Sequence, residues 1–123
     1  MKTSTIIKNT TDTLLSYQWI KGDLALDLYG KRCMPDSPRV RSLDLMGMLW
    51  RSSGTMKFPK EAGALLGGLC NTDVNSSYFV WSPYYLISFN DNPSTVLKDV
   101  VSLLDAGLQL ALQIEGIEPE DYL

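Results

Sequence analysis

The sequence predicts a mainly α-helical fold: a single compact domain of about four helices, with an aromatic loop or short strands ahead of a long C-terminal helix. Three observations carry this. Apolar residues recur at three- and four-residue spacing in several separate segments, the pattern of helices that bury one face. Strand-like composition is concentrated in one aromatic stretch, residues 78–89. A 45% apolar fraction against 20% charged residues belongs to a globular chain, and 123 residues suffice for one buried core.

Residues 4–18 read as the first helix. Ile6, Ile7, Leu14, Leu15 and Tyr17 form its apolar side, with Lys8, Asn9 and Asp12 opposite, and Ser4 or Thr5 can cap its start. Thr10, Thr11 and Thr13 lower its intrinsic propensity, so packing must stabilise it. Trp19-Ile20-Lys21-Gly22 ends the helix, and Gly22 suits a left-handed closing residue. Asp23 to Tyr29 suits a short strand, an extended arm or one helical turn, stopped by Gly30. Residues 31–41 place Lys31, Arg32, Arg39 and Arg41 around Pro35 and Pro38, which reads as a basic loop.

A second helix is expected over about 42–51, with Leu43, Leu45, Met46, Met48, Leu49 and Trp50 as a dense apolar surface. Gly47 inside it costs about 1 kcal/mol against Ala, which a close helix–helix crossing would explain. Pro59 opens a third helix over 59–70, burying Ala62, Leu65, Leu66 and Leu69. Tyr78–Trp81 and Tyr84–Ile87, divided by Ser82-Pro83, suit two short strands or aromatic loops over the core. The last helix should run from Asn92 as cap and Pro93 as first position to about Ile114. Its face is Val96, Leu97, Val100, Val101, Leu104, Leu108, Ala111 and Leu112; Gly116 stops it, and from about residue 115 an acidic tail carries Glu118, Glu120 and Asp121.

Several functions are disfavoured by composition. The chain has no histidine, so His-based acid–base catalysis, Ser/His/Asp triads and His-containing zinc sites are absent. Cys33 and Cys70 cannot complete a Cys-only zinc site, and without an export signal two free thiols are expected. The Lys31 and Arg32 charges beside Cys33 are expected to favour its thiolate, and a helix C-terminus to disfavour that of Cys70. No signal peptide and no 18-residue apolar run is visible, so a cytoplasmic protein with no membrane contact and no cofactor is expected. The glycines at 63, 67 and 68 lack a phosphate-loop context.

Charge is divided unequally. The first 60 residues are formally +5 and residues 61–123 formally −8, while the total is only −3. This favours an oriented contact with a macromolecule, or attraction between the chain's own halves. Lys31, Arg32, Arg39, Arg41 and Arg51 are the candidate partner-binding residues. Arg39 and Arg41 flank Val40, so extended backbone points both the same way. Asp27, Asn90 and Asp91 form a candidate polar site, weighed against ordinary turn and cap roles. Asp23 and Asp44 could join them around a hard cation, although nothing in the spacing demands a metal.

Three segments carry a family resemblance: Trp19-Ile20-Lys21-Gly22, the stretch Leu43 to Arg51, and Ser88-Phe89-Asn90-Asp91-Asn92-Pro93 leading into Thr95-Val96-Leu97. On these the chain resembles a small family of uncharacterised bacterial and bacteriophage proteins, the domain-of-unknown-function family numbered 6197. Leu43 stands where that family has cysteine, and Phe89 where it has tryptophan. The resemblance implies a helical domain and no particular reaction. Together with the missing catalytic equipment, the expectation is a non-enzymatic interaction or modulator protein, such as a bacteriophage accessory factor acting on a host protein. A homodimer through the last helix is a further expectation. The alternatives are a small metal-dependent hydrolase using Asp and Asn side chains, and a nucleic-acid-binding protein using the basic half.

Overall fold

The computed structural model describes residues 1–70 and 84–117. Five helices and a three-stranded sheet make up this part: α1 (Thr3–Ser16), β1 (Gln18–Trp19), β2 (Ala25–Asp27), β3 (Val40–Leu43), α2 (Leu45–Ser53), α3 (Lys60–Cys70), α4 (Tyr84–Asp91) and α5 (Leu97–Glu115). The fold is therefore mainly helical and ends on a long helix, as expected. One helix more than the expected four is present among the described residues.

The first helix accommodates its threonines by bonding their hydroxyls back onto the preceding turn. Thr10 Oγ1 donates to the Ile6 carbonyl at 2.7 Å and Thr13 Oγ1 to that of Asn9 at 2.9 Å. Ile6, Ile7 and Leu14 enter the core, but Leu15 is 83% exposed and does not belong to the buried side. The helix packs against α2 and α5.

The sheet order is β1-β3-β2, with β1 parallel and β2 antiparallel to the central β3. Gln18 pairs with Ser42 and Trp19 with Leu43; on the other side Ala25 pairs with Leu43, Leu26 with Ser42 and Asp27 with Val40. One step on β2 thus spans two on β3, leaving Arg41 as the extra residue of a β-bulge. Of the three readings open for Asp23 to Tyr29, the short strand is the one found, as β2, while β1 and β3 fall where no strand is expected. The described part of the aromatic stretch, Tyr84–Asp91, is a helix, and residues 78–83 lie outside the described residues.

Helix α2 begins at Leu45, capped by Asp44, whose Oδ1 accepts from the Gly47 N–H at 2.7 Å. Gly47 serves a close approach, but to backbone and not to a helix: a Cβ there would collide with the Leu24 carbonyl oxygen. In α3, Leu65 and Leu66 are buried together with Gly67 and Gly68, while Leu69 stays partly exposed.

The last helix starts four residues later than expected, with Val96 and not Asn92 at its cap position. Residues 92–95 form a turn closed by Thr95 N–H to the Asn92 carbonyl at 3.0 Å. Lys21 Nζ holds that turn by donating to the carbonyls of Asn92 and Thr95, each at 2.7 Å. Val96 precedes the helix, and its N–H is taken by the Asp99 carboxylate at 2.9 Å. Val100, Leu103, Leu104, Gly107, Ala111 and Leu112 are the buried stripe of α5. Leu97 and Val101 are 50% and 46% exposed, against the expectation that they face the core. Val101 lies roughly 100° around the helix from Val100, outside the stripe. Gly116 closes the helix in the left-handed region, at φ +73°, where a side chain would be strained.

Candidate functional site

Two polar regions emerge, and they divide the predicted site residues between them. The first is the connection between β2 and β3. Asp27 organises its first turn: its Oδ1 accepts from the Tyr29 and Lys31 N–H groups, both at 2.9 Å. The chain then runs back beside β2, with Asp27 N–H donating to the Lys31 carbonyl at 2.8 Å and Cys33 N–H to that of Ala25 at 3.2 Å. This leaves Leu28 and Tyr29 at the tip, 67% and 83% exposed. A second turn over residues 34–39 leads into β3 through Ser37, whose Oγ accepts from the Arg39 N–H at 3.1 Å.

Asp27, Leu28, Tyr29, Pro38, Arg39 and Arg41 line one groove of about 330 Å³. Arg39 and Arg41 are exposed on either side of the buried Val40, and the bulge presents Arg41 beside the groove. Among the described residues, neither guanidinium has a hydrogen-bond or ion-pair partner. Two unpaired cations beside an apolar tip can bind a carboxylate or phosphate while covering apolar surface.

Lys31 is exposed on the same connection. Arg32 is also exposed, and its Nε donates to Asp23 Oδ1 at 2.9 Å. Arg51 has a different role. Its Nη1 donates to the carbonyls of Pro35 and Ser37 at 2.9 and 3.1 Å, and its guanidinium stacks over Tyr17 at 4.9 Å. It fastens the connection to α2 and does not line the groove.

The second region is the corner where β1, α2 and α4 meet. Asn90 is fully buried there. Its Oδ1 accepts from Trp19 Nε1 at 2.6 Å and from Leu45 N–H at 3.0 Å. Its Nδ2 donates to the Ile20 carbonyl at 3.2 Å and to Asp91 Oδ1 at 3.0 Å. All four hydrogen-bonding positions of the amide are used. Asp91 Oδ1 also accepts from Gly22 N–H at 3.0 Å, and Lys21 lies over the Trp19 ring at 5.4 Å. The corner is a latch built from side chains, and Asp27 belongs to the groove instead.

Asp44, beside this corner, has its pKa raised to about 7. Burial is the main cause, and the Asp91 and Asp23 charges add to it, against the opposing N–H groups of Gly47 and Met46. Among the described residues no three acidic or thiol side chains come together in a metal-holding arrangement. The Cys33 thiol is pushed up by burial and by Asp27, against the opposing charge of Arg51, so the expected thiolate bias from Lys31 and Arg32 is overturned. Burial takes Cys70 to about 12. Both cysteines are free thiols.

Sequence reasoning missed Leu28 and Tyr29 as groove walls, and Trp19 and Lys21 as the partners of α4 and of the turn before α5. The exposed tip had one usable signal, two large apolar residues just before a turn glycine. Asn90 and Asp91 were visible in the sequence as a polar pair, but their pairing with Trp19 and Gly22 had no signal, because the partners lie about 70 residues apart. No helix among the described residues is long and apolar enough to cross a membrane. Comparison with family models, curated proteins and solved structures finds no match to the chain.

Proposed function

We propose that this protein is a non-enzymatic interaction module that docks an acidic partner protein on the β2–β3 connection. The observation that carries the reading is the groove itself: Arg39 and Arg41, both exposed and unpaired among the described residues, beside Leu28 and Tyr29. Arginine and tyrosine are effective interface anchors because their planar groups make large contacts at small entropic cost. Lys31 and Arg32 extend the positive edge. Arg51 supports the surface by bracing its loop. Membership of the family numbered 6197 belongs to the same proposal and rests on the three segments that resemble it.

The Asp27–Asn90–Asp91 hydrolase reading gains no support, since the Asn90 amide is saturated and Asp27 serves another turn. Fluorescence anisotropy separates protein from nucleic-acid docking. The probes are a ten-residue peptide of alternating Glu and Ser ending in Tyr, and a single-stranded DNA of equal charge. The expected result is peptide binding that weakens about tenfold or more in the R39E/R41E variant and falls between low and physiological salt. Equal binding by wild type and variant defeats the reading, and tighter binding of the DNA replaces it with the nucleic-acid one.

A further inference from the structure

We propose that the acidic segment Glu118-Pro119-Glu120-Asp121 of a second copy occupies the Arg39–Arg41 groove, joining copies head to tail. This rests on the groove being an acidic docking site and names its occupant. Spacing supplies the first argument. Arg39, in the turn before β3, and Arg41, the bulge residue, are two positions apart and line the same groove on either side of the buried Val40. A docked segment with carboxylates at alternate positions in extended backbone presents both on one side, toward both arginines of the groove. Within the basic-poor half of the chain, Glu118 and Glu120 have this spacing, and a residue preceding proline is biased toward extended backbone.

Composition supplies the second argument. Tyr122 and Leu123 follow the acids, an apolar pair suited to the Leu28, Tyr29 and Pro38 wall. The acids lie in the half that is formally −8 and the arginines in the half that is formally +5.

Distance assigns the segment to another copy. The end of α5 is fixed at the start of α1, where Ser4 N–H donates to Glu115 Oε1 at 3.2 Å. Ile117 is held there too, its N–H donating to the Leu112 carbonyl at 2.9 Å. Arg41 adjoins Ser42, which pairs with Gln18 just beyond the other end of α1. The 14 residues of α1 hold these sites roughly 20 Å apart. Glu118 is one residue beyond Ile117, and Glu120 only about 10 Å of chain beyond it. Glu118, about 3.5 Å of chain beyond Ile117, is too close to the end of α5 for Glu118 and Glu120 together to meet both arginines of their own groove, so the pair engages a neighbour's. Because two different surfaces meet, the contact is heterologous and builds open chains unless the rotation closes a ring.

The test is sedimentation of the full chain over a concentration series from about 10 μM to 1 mM. Wild type should grow in mean mass with concentration and shrink toward monomer as salt rises. R39E/R41E, with both charges the same sign at groove and tail, should stay monomeric, and so should E118K/E120K. An equimolar mixture of the two variants should associate again, because each supplies the sign the other lacks. Circular dichroism melting of each variant checks that it is folded. A wild type that stays monomeric, an association that survives either reversal, or a mixture that fails to associate overturns the proposal. The alternating Glu/Ser peptide separates its failure from that of the underlying reading. If that peptide binds at Arg39 and Arg41 while the wild type stays monomeric, the acidic docking site stands and the second copy is not its occupant; if neither occurs, both fall.

Discussion

Asn90 and Asp44 sit side by side in the fold but impose opposite demands on stability. The Asn90 amide satisfies four partners from three separate parts of the chain, two of which, Trp19 Nε1 and Leu45 N–H, depend on its single oxygen. Asn90→Ala strands these groups in the interior and should cost about 3–5 kcal/mol in urea unfolding, whereas Trp19→Phe, which removes one donor and keeps most of the packing, should cost about 1–2 kcal/mol. Equal costs would show that the amide is not the hub of the corner. Asp44 caps α2 yet carries a charge that burial and two neighbouring carboxylates oppose. Its folded pKa of about 7 exceeds the ordinary 3.8, so the folded chain binds the proton more tightly than the unfolded one. Stability from this group is therefore complete below pH about 4, falls as pH rises from 4 to 7, and is gone above it. Asp44→Asn keeps an acceptor for the cap and removes the titration. The stability difference between wild type and this variant should change by on the order of 2–4 kcal/mol between pH 4 and pH 8, in favour of the variant at high pH. Parallel pH profiles would count against the buried charge.

Among the elements, α5 shows what hydrophobic spacing can and cannot convey. Leu104 is almost fully buried and Asp105, its neighbour, is exposed. Leu104→Ala should cost about 2–5 kcal/mol in equilibrium unfolding and Asp105→Ala under about 0.5. A comparable loss at both positions would mean that the register is wrong. The apolar spacing revealed this register but not the helix start, because Lys21, more than 70 positions away, holds residues 92–95 as a turn. The helix α4 was hidden for a related reason. Its buried positions include Leu86 and Asn90, four residues apart, and a reading of apolar residues alone does not count an asparagine as inward-facing. β1 and β3 span two and four residues, too few for alternation to register as a strand signal, and the three-residue β2 left a strand as only one of three readings for Asp23 to Tyr29. Gly47 was recognisable as a point of close contact, but not its partner. Since that partner is the Leu24 backbone just before β2, Gly47→Ala forces it and α2 apart and should destabilise by about 2 kcal/mol or more, measured as a lowered urea midpoint. The groove was legible only as basic loop residues; the bulge that presents Arg41 depends on pairing register.

At the scale of the whole molecule, no ion pair among the described residues joins the two charge halves. The two ion pairs among the described residues, Lys8–Asp12 and Arg32–Asp23, both lie within the positive half. Lys21 crosses to the other half but binds backbone carbonyls there, not carboxylates. Arg39 and Arg41 are thus unpaired among the described residues, and on the proposed docking their charge should bear on association more than on folding. Salt should reveal the difference. In dilute protein, where copies are separate, raising salt from low to physiological screens only exposed pairs worth about 0–1 kcal/mol in total, so the thermal midpoint should move by less than about 4 °C. If the halves instead attracted each other across the fold, screening would lower the midpoint well beyond that range. The same salt change in concentrated protein should disperse the head-to-tail association, since there the charges meet across an interface. R39E/R41E, measured dilute, should melt within the same narrow range as wild type, because neither arginine has a partner to lose among the described residues. A large drop in the variant's midpoint would assign the two arginines to the fold and remove them from the binding surface.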